Sequence, residues 1–475
     1  MPLILGAASA TGAADVVTNS CQFEPANNTD LSIAPAGAGN QKTWTYSCWV
    51  KKTKAGSRQG IINVNGSSNP YFFVEFIASD AINIQDYDGS QDTDLITDAK
   101  YRDVGAWYHI CVAYDTTQAT DTNRIKLYVN GTQVTGFSTE TYCAQDFTTQ
   151  MNSTYTLYVG KAATQEFGGY MSEVCVIDGQ QLAPTSFGEF NSDSPTIWQP
   201  IDISGLTPGT NGFYLDFKDS ANLGTDVFGG TNLTENNLTT ANQMVDNPQN
   251  NFCILNSIVG NRTLTLDYGN TRIVTPSNTG SGGTMAFNSG KWYYEKYIDV
   301  LGNHYGGWMD MFNVAGGDQN AYNTYGGIDF QIEPSTYYNN GNSLSYEPVS
   351  SVTAGDYYGV AFDKDNLTCW VSKNGQWYTG NQTTTATLTR AEVASNTGGW
   401  DCTIGSTMSA ASMVGVHQGA STVSTTNTFN FGNGRFAGSA LTGTTYTDDN
   451  NQGIFKYEPP DGFRAICSKN LGEFG

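Results

Sequence analysis

Between residues 21 and 220 the chain is a succession of short runs in which apolar and polar positions alternate, separated by clusters of Gly, Asn and Asp. That grammar predicts an antiparallel sandwich. In the run at 44–50, a period of two places Trp44, Tyr46, Cys48 and Val50 on one face, toward a core. The run at 124–129 alternates as cleanly, and Asn130-Gly131 after it supplies the positive φ angles of a tight hairpin turn. From 221 to 249 the chain turns rich in Asn, Thr and Gly, with Asn247-Pro248 punctuating its end, which marks 221–250 as a linker. Alternation then resumes at Lys291-Trp292-Tyr293-Tyr294-Glu295, at 357–362 and at Cys369-Trp370-Val371-Ser372, with Asn374-Gly375 closing a second hairpin before Gln376-Trp377. The Thr-, Ala-, Ser- and Gly-rich stretch from 379 to 424 is expected to contain a long loop or an irregular strand pair. The predicted fold is all-β: an arm at 1–20, a jelly-roll sandwich at 21–220, a linker at 221–250 and a second sandwich at 251–475.

Composition agrees with two modules. A chain of 475 residues outgrows a single core, and 27 Tyr, 23 Phe and 9 Trp are enough to fill two. Charged residues are only 14% and Gly numbers 53, which favours strands and turns over helices. The formal charge of −22 opposes binding to a polyanion, so nucleic acid is excluded as a partner. Nine cysteines without a CxxC pair or Cys/His cluster do not form a zinc framework; several sit in strand-like runs, where a free Cys acts as a small apolar core residue. The N-terminal MPLILGAASATGAADVV lacks Lys or Arg and a long apolar region, so no signal peptide is expected, and no stretch reaches the ~20 apolar residues of a membrane span.

Particular segments resemble known families. TWTYSCWVKK at 43–52, WYHICVAYD at 107–115, IKLYVNGTQV at 125–134, and YTLYVGK followed by FGGYMSEVCVIDGQQL up to Leu182 resemble the laminin-G-like, concanavalin-type jelly roll. The resemblance implies a binding module for glycans or proteins, in some members with calcium on a rim loop. SGKWYYEKYID at 289–299, YYGVAFDKDNLTCWVSKNGQW at 357–377, FNFGNGRF at 429–436 and YEPPDGFRAICSKNL at 457–471 resemble a SPRY (B30.2-like) sandwich, which implies partner recognition through loops and does not imply enzymatic activity. The two modules in this order behind a Gly/Ala-rich arm resemble virion structural proteins of marine tailed phages. This implies a virion-surface protein, a tail fibre or appendage that binds a host glycan or protein. The alternatives are a capsid decoration protein and a carbohydrate-active enzyme. The resemblance also implies attachment to other virion proteins through the arm, and a homo-oligomer.

Catalysis finds little material. The three histidines, His109, His304 and His417, are too few for most triads or metal cages, and His109 beside Cys111 in a strand reads as a core or rim residue. No serine lies in a G-x-S-x-G elbow. The acid pairs Glu295/Asp299 and Asp363/Asp365 lack the spacing that would face two carboxylates across a cleft, and Glu295 is read as solvent-facing. The chain is therefore expected not to be an enzyme and to need no cofactor, with calcium as the one exception: Asp86, Asp88, Asp92 and Asp94 in QDYDGSQDTD could offer it hard oxygens from a loop. For ligand contact the candidates are loop aromatics, which offer rigid contact surface: Trp308, Tyr322, Tyr325, Tyr337 and Tyr338.

Overall fold

The computed structural model describes residues 15–475 apart from 67, 258–263, 277–278, 303, 311–327, 333–335, 340–341, 345–351, 381–385, 404–408, 410–411, 421–423 and 437. The architecture is all-β, 43% strand against 6% helix, and the chain divides into compact units on either side of residues 249 and 250.

In the first unit the strands are β1 (Ser20–Phe23), β2 (Asp30–Ile33), β3 (Thr43–Lys52), β4 (Gln59–Val64), β5 (Tyr71–Phe76), β6 (Ile82–Tyr87), β7 (Gln91–Thr97), β8 (Tyr108–Asp115), β9 (Ile125–Val129) and β10 (Thr132–Gln133). They continue with β11 (Phe137–Thr141), β12 (Leu157–Val159), β13 (Lys161–Ala162), β14 (Gln165–Glu166), β15 (Gly169–Asp178), β16 (Gly188–Phe190), β17 (Trp198–Pro200), β18 (Phe213–Leu215), β19 (Thr234–Asn236) and β20 (Gln243–Met244). One eight-stranded sheet runs β10-β9-β8-β3-β15-β1-β20, with β18 paired to β15; the other runs β11-β7-β6-β5-β4-β12-β2-β19. Trp44, Tyr46, Cys48 and Val50 are fully buried between them with Phe72, Val74, Ile82, Ile84 and Leu95, as the period-two pattern requires. Asn130 and Gly131 take φ of 48° and 74°, the left-handed pair of a two-residue hairpin between β9 and β10.

Residues 221–249 are not a linker. β19 pairs with β2 and β20 with β1, and Leu223, Leu233 and Leu238 enter the same core. Four well-placed apolar side chains, counting Met244, outweigh a composition that reads as loop. The return is locked by Asp246. Its Oδ2 accepts from Lys51 Nζ at 2.7 Å, its Oδ1 from Trp107 Nε1 at 3.1 Å, and its carbonyl from Ser20 Oγ. Both members of this ion pair are buried. The arm expected at 1–20 also ends earlier than residue 20, since the Val16 and Val17 amides donate to Gln249 Oε1 and Val17 is buried.

The second unit contains β21 (Thr265–Asp267), β22 (Arg272–Thr275), β23 (Thr279–Phe287), β24 (Lys291–Val300), β25 (His304–Asp310), β26 (Ile328–Ile332), β27 (Thr336–Asn339), β28 (Asn342–Leu344), β29 (Tyr357–Asp363) and β30 (Thr368–Lys373). After them come β31 (Gln376–Tyr378), β32 (Thr387–Leu388), β33 (Trp400–Asp401), β34 (Val414–Ala420), β35 (Thr425–Asn430), β36 (Arg435–Phe436), β37 (Ser439–Ala440) and β38 (Arg464–Ala465). Its larger sheet follows β21-β22-β35-β24-β29-β30-β31-β32 and faces a sheet ordered β23-β34-β25-β26-β27-β28. Trp292, Tyr294, Ile298, Trp308, Phe362 and Phe429 fill the space between. The 379–424 stretch holds β32, the short helix Arg390–Ala394, β33 and β34 among its described residues, more order than the sequence suggested.

Glu295 is fully buried, contrary to the solvent-facing reading. Its carboxylate accepts from the amides of Lys456 and Tyr457, from Asn430 Nδ2 and from Tyr293 Oη, so it fastens the C-terminal segment across β24. Burial pushes this carboxyl up to about 7 against those four donors.

If residues 221–249 close the first sandwich, Asp246→Ala removes the carboxylate that pairs with the buried Lys51 ammonium. The first unit should then lose ~3–5 kcal/mol in urea unfolding, whereas a change in a true linker would leave it untouched.

Candidate functional site

On the second sheet of the first unit, the residues that alternate away from the core form one continuous row. Cross-strand partners run Thr141, Asp94, Gln85, Phe73, Asn63, Tyr158, Ser32 and Thr234, one from each of the eight strands. Three aromatic rings stand nearly parallel here, Phe73 within the row and Tyr71 and Tyr87 beside it. Tyr71 lies 5.1 Å from its cross-strand partner Tyr87 at 11° between planes, and 5.6 Å from Phe73 at 13°. Offset stacking of this kind fixes ring orientation. Tyr71 Oη donates to Gln85 Oε1 at 2.9 Å, which holds the amide against the ring stack.

Polar groups frame the rings. Asn83 Nδ2 donates to Asp94 Oδ1 at 2.8 Å, and Arg58 grips Glu75 through both Nε and Nη2. Asn63 donates to the Phe72 carbonyl, while its own side-chain oxygen is buried with no hydrogen-bond partner. The small β13–β14 hairpin closes one flank by lying against β4. Its approach requires Gly60, where a Cβ would meet the Ala162 amide nitrogen at 1.9 Å. Burial, then Tyr87 and Asp94, raise Tyr71 above the ordinary tyrosine range; burial against the Arg58 pair raises Glu75. The face therefore combines an apolar ridge with fixed amide and carboxylate acceptors, the two elements that hold a hydroxyl-rich ligand.

The residues expected from sequence fall elsewhere. Trp308 is fully buried against Phe287, Tyr294 and Phe362, so it is a core residue and not a contact surface. Tyr337 and Tyr338 lie on β27, and Tyr322 and Tyr325 lie outside the described residues. Asp86, Asp88, Asp92 and Asp94 lie along the β6–β7 hairpin, Asp88 in its turn, and their side chains do not all face one point. Asp86 alternates inward and is fully buried, Asp94 faces outward onto Asn83, and Asp92 borders the turn. Among the described residues no trio of His, Cys, Asp or Glu has metal-holding geometry. Burial raises Asp86 well above the carboxylate range, with Asp92 and Asp88 adding to it.

His109 is a core residue, as read from sequence. Trp198 Nε1 donates to its Nδ1 at 3.0 Å, which leaves the proton on Nε2 for Ser47 Oγ at 2.8 Å, and burial lowers the ring to about 3. The acid pairs considered for hydrolysis serve the fold. Glu295 has its four donors, and Asp363 accepts from the amides of Asp365 and Asn366 at a turn. Missing from the sequence reading were Tyr71, Phe73 and Tyr87. The signal was present as aromatic residues at i and i+2 on a strand with an aromatic one strand away, but which face they share depends on register.

Residues 25–182 match the family described as the concanavalin A-like lectin/glucanases superfamily, laminin-G type. No curated protein matches the chain. Among solved structures, the heptameric SAP-like pentraxin from Limulus polyphemus is 16% identical, with 36% of this chain and 80% of that one covered at a TM-score of 0.28. The SPRY domain of human HERC1 is 13% identical over 35% of this chain and 91% of its own, with a TM-score of 0.25. The CBM40 of Ruminococcus gnavus IT-sialidase, solved with α2,3-sialyllactose, is 14% identical over 28% and 75%, with a TM-score of 0.21.

Asp86 makes the local electrostatics testable. Its folded pKa is raised above its unfolded value, so its contribution to stability is full below the unfolded pKa and is lost as pH rises through the folded one. Asp86→Asn should flatten the fall in stability of the first unit as pH rises from about 4 toward neutrality, measured by urea unfolding across that range.

Proposed function

We propose that the chain is a glycan-binding protein of a phage virion surface, a tail fibre or appendage whose first sandwich holds host carbohydrate on the outer face of its second sheet. The observation that carries the binding half is the half-buried pair Tyr71 and Tyr87, stacked in parallel with the buried Phe73 and standing beside Gln85 and Asp94. Sugars present apolar C–H faces and a rim of hydroxyls. Rings take the first, and acceptors such as Gln85 and Asp94 take the second. Fit with a binding role, without catalysis, comes from the carboxylates of Glu295 and Asp363, each already engaged by fold-holding donors. The virion setting is supported by the order of the two modules behind a Gly/Ala-rich start, which resembles tailed-phage structural proteins. In that setting the N-terminal segment attaches to other virion proteins and the protein forms a homo-oligomer.

The charge around the platform narrows the ligand. Asp88, Asp92 and Asp94 lie at its β6–β7 end, and the nearby cation Arg58 is committed to Glu75. A neutral glycan suits this face better than one carrying carboxylate or sulfate.

On a glycan array the isolated chain should bind neutral oligosaccharides in preference to sialylated or uronic ones. Tyr71→Ala and Tyr87→Ala should each weaken the best hit about tenfold or more, ~1.4 kcal/mol, while unfolding midpoints stay near that of the parent. Unchanged affinity in both variants moves the site off this face. Copy number per particle separates the appendage from the alternative, a capsid decoration protein: a handful of copies is expected, and hundreds would establish the decoration role.

A further inference from the structure

Two thiols in the second unit meet. Cys369 lies on β30 and Cys402 directly follows β33, and their Sγ atoms are 3.3 Å apart. Both side chains are fully buried in the core cluster that also holds Trp400 and Val371. Register explains the approach. Cys369 opposes Trp400 and Thr368 opposes Asp401 on antiparallel strands, and the Cys402 amide then donates to the Leu367 carbonyl at 2.8 Å. Cys402 is thus the diagonal neighbour of Cys369 on the same face of the ladder, and the two short side chains meet there only because they turn toward each other. A disulfide needs sulfurs at about 2.05 Å, so closing the gap takes little more than ~1 Å, by side-chain rotation together with a small shift of the two-residue β33.

The pair also sits at a telling place in the chain. Residues 370–401 leave β30, form β31 and β32, pass through the helix Arg390–Ala394 and return in β33. The return is held by the Gly380 amide on the Gly398 carbonyl at 2.6 Å and by Trp370 Nε1 on the Thr397 carbonyl at 3.0 Å. β33 itself is two residues long. A covalent bond between its end and β30 closes this excursion at its base, and closing a loop of that length removes freedom from the unfolded chain.

We propose that Cys369 and Cys402 are a modification site, a thiol pair that forms a reversible disulfide on meeting a small-molecule disulfide oxidant and staples the base of the 370–401 excursion. In the first step one cysteine gives its proton to solvent and its thiolate attacks the oxidant RSSR, forming a mixed disulfide and releasing one RS⁻. In the second step the other cysteine, likewise deprotonated, attacks the protein sulfur of that mixed disulfide and releases the second RS⁻. Both leaving thiolates take up the protons given off, so two thiols and RSSR become one protein disulfide and two RSH, with two electrons passing to the oxidant. Burial pushes the Cys402 thiol well up, which makes reaction from the closed state slow; access comes from local opening of the short β33.

The test uses the full chain. One sample is held in excess oxidised glutathione and one in dithiothreitol. Both are quenched in acid, unfolded in guanidinium and labelled with N-ethylmaleimide for intact mass. The reduced chain should take nine labels and the oxidised chain seven, with no glutathione adduct. Digestion without reductant should then yield one cross-linked peptide containing Cys369 and Cys402. The oxidised protein should melt about 5 °C higher in its second unit, reversed by dithiothreitol. In Cys402→Ser the difference between oxidised and reduced melting should vanish. Nine labels after oxidation, a stable glutathione adduct, or a cross-link between other cysteines overturns the proposal. Should Cys402→Ser fail to fold, the peptide map of the parent chain decides alone.

Discussion

A β-strand has two faces, and in both units the long strands commit one of them to a core. Whatever the chain does must then happen on outer faces or loops. In the first unit the two outer faces differ in kind. That of the β3–β8–β15 sheet is covered by its own chain: Phe187, Ile203 and Tyr214 pack on Cys111, Cys175 and Ile177, Trp198 docks on His109, and Asp246 closes on Lys51. The opposite outer face keeps Tyr71, Gln85, Tyr87 and Asp94 only partly buried. The candidate site is located by this asymmetry, since a face already occupied by the protein cannot receive a ligand.

Covering a sheet with irregular chain raises a problem, because such segments carry polar groups into the interior. Here buried charges answer it. Lys51 with Asp246, Lys52 with Asp80 at 2.7 Å, and Glu295 with its four donors each tie a returning segment to a long strand. Replacing such groups with apolar ones can be neutral for stability, but removing one partner is costly. Their value lies in directionality. A hydrophobic surface accepts many ways of laying a chain across it, whereas a carboxylate with several aligned donors accepts one. That distinction explains how a stretch as poor in apolar residues as 221–249 finds a fixed course.

Legibility in the sequence followed range. Features set by neighbours along the chain were readable: the alternation of Trp44, Tyr46, Cys48 and Val50, the Asn130-Gly131 and Asn374-Gly375 turns, and the core character of His109. Features set by partners far along the chain were not. Residues 221–249 look like a linker because their anchors, β1, β2 and Lys51, lie some two hundred residues away. Trp308 looked like a loop aromatic because its Gly- and Asn-rich surroundings hid a strand, and Glu295 looked exposed because its donors come from residues 430, 456 and 457. The aspartates at 86–94 show a further limit. Their spacing suggests a shared centre only for a loop; once the segment is a hairpin, strand alternation sends Asp86 inward and Asp94 outward.

The shape of the proposed site constrains how it can work. An open sheet face contacts a sugar from one side only, so a single site buries little of its ligand and binds weakly compared with an enclosed pocket. Tight attachment from such a surface requires several copies engaging one cell at once, where linked sites convert later binding steps into intramolecular ones. The homo-oligomer proposed above would meet that requirement, and a lone copy would not. The same openness would leave the ends of the proposed glycan unconstrained, so discrimination would come from the half-buried Gln85 and Asp94 beside the rings, the latter braced by the buried Asn83. Those side chains are braced by hydrogen bonds to each other and to Tyr71, and so arrive at the ligand already ordered. In the proposed assembly a weak but pre-organised face would gain selectivity through geometry and strength through number.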